Sequence, residues 1–372
     1  MKSPAIVSYK PADGQFIWKL EEIEVREDLK PDEVLVEMVA LGLCHTDIFV
    51  STNQLNDTSI LGHEGAGFVR KIGSGITHCN VGDPVVLSFT YCGACNLCKK
   101  TDVSYCEQFT PLNMMACESE GETFSSTTGI KPIGKFFGHS SFSKFSVVSG
   151  KLVVNVKDFD LTLDQLKLLS PLGCGFQTGA GSILNTGNAK EGETVAVYGL
   201  GGVGISAIMG AKIAGCSKIV AIDIKQSKLD LALKVGATHT ILAGDNNEVR
   251  KKLHEITDGG PDLSFECIGG PIFVQNALDN AANKGRVVFV GVGKPEDVLN
   301  IAVFPFLVSG KQLIAGVEGD SVPTEFIPRL IRHYLKGEFP VEEIETRFPF
   351  ADFEKALAGM KAGTVTKAIL EF

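Results

Sequence analysis

The segment Thr194–Ala211 constrains the fold most: eighteen residues pass without a charge, and five of them are glycine. A run of that length has the reach of a membrane span. Its glycines, however, are spaced as Gly199-x-Gly201-x-x-Gly204 directly after the apolar run Val195–Tyr198. A buried strand, a glycine turn and a packed helix explain it better. Gly199 permits the tight turn, Gly201 lets the backbone approach a pyrophosphate, and Gly204 lets the helix pack on the strand. Gly202 and Val203 complete the turn, and a phosphate would rest on the helix N-terminus. The next apolar run, Lys218–Asp223, ends in an acid 19 residues after Gly204, with no arginine in the following ten positions. Such an acid accepts from both hydroxyls of an adenosine ribose and repels a 2′-phosphate, which favours NAD over NADP.

The alternation continues on either side. Val195–Tyr198, Lys218–Asp223, Thr240–Leu242, Leu263–Cys267 and Val287–Gly291 read as buried strands. Between them Val203–Ala214, Ser227–Val235, Asn246–Thr257 and Ile272–Asn283 carry helical periodicity. That order predicts an α/β domain with a doubly wound parallel sheet. Upstream, short β-like runs dominate: Glu33–Val39 with period two, Gly67–Ile72, Val85–Leu87 and Val147–Val154. A chain of 372 residues exceeds one comfortable core. The expected organisation is a β-rich domain over 1–174 with a lobe at 92–106, a dinucleotide-binding domain over 175–316, and a segment 317–372 that returns to the first domain through the terminal run AILEF.

A net charge of −9 argues against nucleic acid and anionic membranes as partners. The first residues lack the apolar core of a secretory signal, so a cytoplasmic location is expected and the ten cysteines should remain thiols. Four of them, Cys92, Cys95, Cys98 and Cys106, form C-x2-C-x2-C-x7-C, a loop able to wrap a tetrahedral ion. An iron–sulfur cluster is a rival reading, weakened by the fourth spacing and by Glu107 where a proline would follow. A zinc-ribbon nucleic-acid module is disfavoured by the acidic charge. Structural zinc is the better reading. A scattered set, Cys44 in LGLCHTD, His63 in LGHEG and Cys174 in PLGCG, has the Cys2His composition that leaves one metal position open. Cys79, Cys117, Cys216 and Cys267 read as packing residues.

The succession CHTD, GHE, four-cysteine lobe, GCG and GLGGVG closely resembles the zinc-dependent medium-chain alcohol dehydrogenases over essentially the whole chain. The resemblance implies a GroES-like β-rich catalytic domain beside a Rossmann NAD-binding domain. It places a catalytic zinc on Cys44, His63 and Cys174 and a structural zinc on Cys92, Cys95, Cys98 and Cys106, two zinc ions per chain. Cys174 stands where sorbitol-type relatives carry Glu, which argues against a polyol substrate. YCGACNLC, PLGCGFQTGAG and the segment after the lobe resemble the aryl (benzyl) alcohol dehydrogenases, with the longer-looped dimeric enzymes next.

By the same resemblance, Asp47 and Glu64 orient the zinc ligands and Thr46 contacts the substrate oxygen. Thr178 and Val203 pack against the nicotinamide, Lys228 lies near the adenosine ribose, and His45 and Lys367 lie beside the pyrophosphate. Several relatives end their proton relay at a histidine five residues after the first ligand cysteine; here that residue is Phe49, expected simply to pack, with water or His45 finishing the relay. The implied reaction is oxidation of a primary, aromatic or bulky alcohol to the aldehyde, or the reverse, by hydride transfer from a zinc alkoxide to NAD. The alternative is a dimeric-type enzyme acting on aliphatic substrates. Ser88, where many relatives carry a bulky aromatic, implies room for an aromatic ring. A homodimer or homotetramer is implied, with an interface strand around Asn300–Val308 where relatives pair, although the apolar run NIAVFPFLV reads equally as core. A zinc-independent quinone or enoyl reductase would not need the scattered ligands together, and a binding protein without turnover would have lost a ligand or the glycine turn.

Overall fold

In the computed structural model, which describes residues 1–12, 15–54, 56–115, 118–126, 129–294 and 296–372, apolar–polar alternation near the N-terminus builds a long hairpin. Strand β1 (Lys2–Ala12) pairs antiparallel with β2 (Gln15–Val25). Cys117, expected to pack, lies outside the described residues. The run EVLVEMVALG forms β3 (Glu33–Gly42), buried along nearly its whole length. Val34, Val36 and Met38 enter one buried cluster with Val69 and Val85. Leu35 and Leu41 enter another with Trp18, Phe89 and Phe142. Both faces of the strand are therefore covered, as unbroken apolar strands require.

Helix α1 (His45–Thr52) follows β3, and β4 (Thr58–Ile60) joins the free side of β1. Strands β5 (Gly65–Ile72) and β6 (Pro84–Leu87) extend the sheet from β3. Short helices α2 (Asn96–Lys99) and α3 (Phe109–Asn113) shape the cysteine lobe, and β7 (Phe124–Ser125) adds to β2. The expected run Val147–Val154 is two strands, β8 (Phe145–Ser149) on β3 and β9 (Val153–Asn155) on β6. The break falls at Gly150, where a Cβ would sit 2.3 Å from Ile76 and a turn redirects the chain. Helix α4 (Leu163–Leu168) opens on a capping box in which Thr162 accepts from the Gln165 amide.

By internal contacts the chain divides into two units. The first comprises Met1–Cys174, Val322–Ile331 and Glu345–Phe372; the second comprises Gly175–Ser321 and Arg332–Ile344. The second begins with α5 (Gly175–Gly181) and β10 (Thr194–Tyr198), followed by α6 (Gly202–Ile213). Strands β11 (Lys218–Asp223), β12 (His239–Leu242), β13 (Leu263–Glu266) and β14 (Arg286–Phe289) alternate with α7 (Gln226–Val235), α8 (Asn246–Thr257) and α9 (Pro271–Asn280). All pairings are parallel, and β10 sits inside the order β12-β11-β10-β13-β14. The uncharged stretch is thus strand, turn and buried helix. Among the described residues no helix is long and apolar enough to cross a membrane.

Two features differ from the sequence reading. Asn300–Val308 is not a strand: α10 (Val303–Ser309) occupies it, and β15 (Gln312–Ala315) extends the sheet beyond β14. Pro305 would remove a ladder hydrogen bond from a strand but is tolerated in the first turn of a helix, and Gly310 at φ 60° ends that helix. The segment 317–372 is also shared. Helix α11 (Pro323–Leu335) passes from one unit to the other, and Phe339 meets Phe176 edge-on at 6.3 Å inside the second unit. Strand β16 (Glu345–Pro349), helix α12 (Phe353–Ala362) and β17 (Lys367–Glu371) belong to the first, where the terminal apolar run pairs with β3.

Candidate active site and metal centres

The end of β3 delivers Cys44 to the N-cap of α1. The fully buried Asp47, one turn on, does three things with one carboxylate. Its Oδ2 accepts from the Cys44 amide at 3.0 Å, and its Oδ1 accepts from the Gly62 amide at 3.1 Å and from His63 Nδ1 at 2.9 Å. A carboxylate only accepts, so His63 carries a proton on Nδ1, and Nε2 is the ring nitrogen left for the cluster. That Nε2 is buried without a hydrogen-bond partner. One donor atom each from Cys44, His63, Glu64 and Cys174 lies within 4.8 Å of the others. A buried polar group left without a partner costs about 1–3 kcal/mol; a zinc ion, which prefers tetrahedral sulfur and nitrogen ligands, would satisfy a neutral Nε2.

The cluster's electrostatics suit a cation. Bonding from Cys174, with the charges of His63 and Lys367, holds the Cys44 thiol well below its ordinary value against the effect of burial. Burial pushes Glu64 up to about 7, opposed by Lys367. Lys367 is itself buried, ion-paired to Glu64 and donating to the Leu43 carbonyl at 3.0 Å. Its ammonium is therefore engaged by this cluster rather than solvated. Thr46 Oγ1 lies 3.7 Å from Cys44 Sγ, and His45 is exposed on the same helix. Phe49 is 39% exposed, so it does not pack as expected. Ser88 is fully buried with its hydroxyl donating to the Gly173 carbonyl at 2.7 Å, beside Cys174.

In the lobe, all four cysteine sulfurs lie within 4.8 Å of one another. Cys92 and Cys98 are 3.8 Å apart, close to the edge, about 3.8 Å, of a tetrahedron with the usual zinc–sulfur bond. Backbone amides converge on these sulfurs: Ala94 and Cys95 on Cys92, Cys98 on Cys95, and Cys92 and Gln108 on Cys106. The amides of Ala94 and Cys95 lower Cys92 to about 6, toward the thiolate that a metal needs. The spacing is that of a shared ion, well beyond a disulfide bond.

In the second unit, Gly199 takes φ 90° and a Cβ on Gly204 would fall 1.8 Å from the Gly199 carbonyl, so both glycines are demanded by the backbone. Gly201 differs: a Cβ there would meet nothing within 4 Å. The protein leaves that space open at the N-terminus of α6, where a pyrophosphate would approach. Asp223 ties the turn to β11, its Oδ2 accepting from Leu200 N at 2.8 Å and its Oδ1 from Lys225 N at 2.9 Å. Lys228 Nζ stands 3.9 Å from the same carboxylate, partly buried. Helix α5 packs on the first turn of α6, where a Cβ on Gly179 would lie 2.0 Å from the Val203 carbonyl.

Two residues near these sites escaped the sequence reading. Phe137 lies against His63, and Glu318 hydrogen-bonds to Gln177 and Thr178. Both sit in left-handed backbone that non-glycine sequence does not advertise. The one available signal is the acid directly before Gly319 in GVEGD, after the apolar run of β15.

Comparison with known proteins agrees with this geometry. Residues 30–158 match the alcohol dehydrogenase GroES-like domain, and 202–333 match the zinc-binding dehydrogenase family. A geraniol dehydrogenase from Castellaniella defragrans is 34% identical over 345 residues, 92% of this chain and 91% of that one. The structure of an alcohol dehydrogenase zinc-binding domain protein from Burkholderia ambifaria superimposes with TM-score 0.93 at 36% identity, covering 100% of this chain and 99% of the other. Benzyl alcohol dehydrogenase from Acinetobacter calcoaceticus does so with TM-score 0.91 at 34% identity and the same coverage. With a GroES-like β domain joined to a Rossmann-type domain, the chain belongs to the zinc-dependent medium-chain alcohol dehydrogenases, a family of oxidoreductases.

Proposed function

We propose that this dehydrogenase oxidises a primary alcohol bearing an aromatic or bulky group to its aldehyde, or runs the reverse, with NAD and two zinc ions per chain. The observation that carries the reading is the buried, unpartnered His63 Nε2 facing the thiols of Cys44 and Cys174. Cys44, His63 and Cys174 would hold the catalytic ion, with Glu64 close enough to serve as a further donor; Cys92, Cys95, Cys98 and Cys106 would hold the structural one. Bound zinc supplies Lewis-acid polarisation of the substrate oxygen.

The chain's own groups do the rest. Asp47 fixes the imidazole tautomer and its direction. Thr46 takes the substrate hydroxyl proton at Oγ1 and releases it toward solvent; His45, exposed one residue away, is the base available where Phe49 cannot titrate. Gly201 admits the pyrophosphate, Asp223 with Lys228 selects an unphosphorylated adenosine ribose, and Thr178 and Val203 bear on the nicotinamide side. Similarity to benzyl alcohol and geraniol dehydrogenases and the small Ser88 favour a bulky, unsaturated substrate over ethanol. Small aliphatic alcohols, as in the dimeric-type enzymes, are the second reading. The free state of the described cysteines suits the cytoplasm, and the apolar outer face of α10 suits a homodimer or homotetramer.

An alcohol and aldehyde panel followed at the nicotinamide absorbance, with NAD and NADP compared and metal measured, tests this. The expected result is two zinc ions per chain, preference for NAD, and a higher kcat/KM for benzyl alcohol than for ethanol. Preference for ethanol overturns the substrate, and full turnover in a Cys174→Ala protein lacking the second zinc overturns the site.

A further inference from the structure

The turn after β15 is strained. Glu318, Gly319 and Asp320 all take left-handed backbone, with φ 52°, 65° and 48°. Two of the three carry side chains that disfavour it, and such strain persists only where the surroundings over-determine it. Here α5 does so. A Cβ on Gly181 would fall 2.5 Å from the Gly319 carbonyl, and one on Gly319 would fall 2.4 Å from the Gln177 carbonyl, so the turn lies directly on the helix backbone.

This arrangement delivers a carboxylate. Glu318 is 7% exposed, and its Oε2 accepts from Gln177 Nε2 at 3.0 Å and from Thr178 Oγ1 at 3.5 Å. Ser321 Oγ donates to the Glu318 carbonyl at 2.7 Å and lies 3.1 Å from Gln177 Oε1, which closes the network. Both donors converge on one oxygen of a side chain that is ordinarily ionised at neutral pH.

Its place in the sheet gives that charge a use. The turn follows the carboxyl end of β15, on the same edge as the glycine turn after β10 and Asp223 at the end of β11. A dinucleotide on a doubly wound sheet stretches along this edge from one half to the other. Asp223 marks the adenosine half, so Glu318, beyond β13 and β14, belongs to the nicotinamide half. The oxidised nicotinamide ring is a cation and the reduced ring is neutral. We propose that Glu318 is a specificity-determining residue for the redox state of the cofactor, its buried carboxylate favouring the oxidised, cationic nicotinamide. This rests on the dinucleotide reading given above.

Calorimetric titration of the zinc-loaded full chain with NAD⁺, NADH and ADP-ribose separates the two ideas. In Glu318→Gln, which keeps the shape and an acceptor oxygen, NAD⁺ affinity falls about tenfold relative to NADH, the scale of one partly screened charge. ADP-ribose, lacking the nicotinamide, binds as in the wild type, and Glu318→Asp keeps the wild-type NAD⁺/NADH ratio. Equal weakening of NAD⁺ and NADH, or weakened ADP-ribose binding in Glu318→Gln, marks a structural role and overturns the proposal. A wild-type chain that binds none of the three overturns the dinucleotide reading itself, and the proposal with it.

Discussion

The Phe137 ring lies on the face of the His63 imidazole, centroids 4.6 Å apart and planes 28° from parallel. Asp47 holds the same ring by its edge at Nδ1, and Phe136 meets it edge-on at 5.5 Å. The imidazole is thus fixed in both direction and tilt. Phe137 reaches this position at φ 52°, rare for a bulky residue, within a run where Lys135, Gly138 and Ser140 are also left-handed. An aromatic pair is worth about 0.5–1.5 kcal/mol beyond its buried area. Phe137→Leu is therefore expected to speed zinc release from the Cys44–His63–Cys174 site about three- to tenfold, while Phe137→Tyr keeps the wild-type rate. A chromophoric chelator reads the release directly, with the lobe zinc as internal control. Identical release in Phe137→Leu and wild type would remove this stack from the site's design.

Asp223 carries two loads, and its replacement should show both. Asp223→Gly leaves the Leu200 amide without its acceptor, a loss of about 1–3 kcal/mol in a buried setting. It also removes the charge that repels a 2′-phosphate and frees Lys228, now 3.9 Å away, to meet one. The KM for NAD is expected to rise about tenfold or more while that for NADP falls. Steady-state kinetics with both cofactors, beside a melting curve, tests the pair; an unchanged NAD/NADP preference would deny Asp223 its selecting role.

The features legible in the sequence were those written in local chemistry. The period of β3, the glycine turn and the cysteine spacing each follow from neighbours a few residues apart, so the strands of the parallel sheet and the Cys92–Cys106 cluster could be read in advance, whereas Cys44, His63 and Cys174, scattered along the chain, were joined only by the family resemblance. Other features depend on contacts distant in sequence. Lys367 reaches Glu64 only because β17 lies on β3, and nothing near either residue announces it. Apolarity in NIAVFPFLV cannot tell strand from helix; Pro305 and Gly310 decide it. Phe137 and Glu318 were missed because each depends on left-handed backbone at a residue whose type argues against it.

Glu33 offers a pH test of the first unit. It is 1% exposed, accepts from Arg26 and from the Lys30 amide, and pairs with Lys135 at the start of the left-handed run that carries Phe137. Burial would raise its pKa, but Lys135, the Lys30 amide and Arg26 outweigh burial and lower it. A carboxyl lowered on folding contributes stability that is complete above its unfolded value, about 4.3, and is lost as pH falls through the folded value. Glu33→Gln should cost about 1–3 kcal/mol at pH 7, with the gap from wild type narrowing as pH drops below about 4. Chemical denaturation across that range checks it. A gap independent of pH would mean that the carboxylate's charge is not what holds Lys135.

Helix α10 presents its apolar residues the wrong way for a lone chain. Phe306 packs inward on the sheet core, while Val303, Phe304, Leu307 and Val308 are 79%, 72%, 72% and 65% exposed. Val303 with Leu307, and Phe304 with Val308, are four apart and so adjacent on one face. A contiguous patch of this kind marks an association surface rather than ordinary surface scatter. A second copy of the same chain is the occupant that needs no partner of opposite charge, since the face is uncharged. Leu307→Glu places a carboxylate where desolvation would be required on pairing. The expected outcome is a dimer or tetramer for the wild type and a single-chain mass for the variant, by light scattering on a sizing column. Its melting temperature should be unchanged once the wild type is diluted to the same state, because Leu307 makes little contact within its own chain. A Leu307→Glu protein that keeps the wild-type mass would move the interface away from α10.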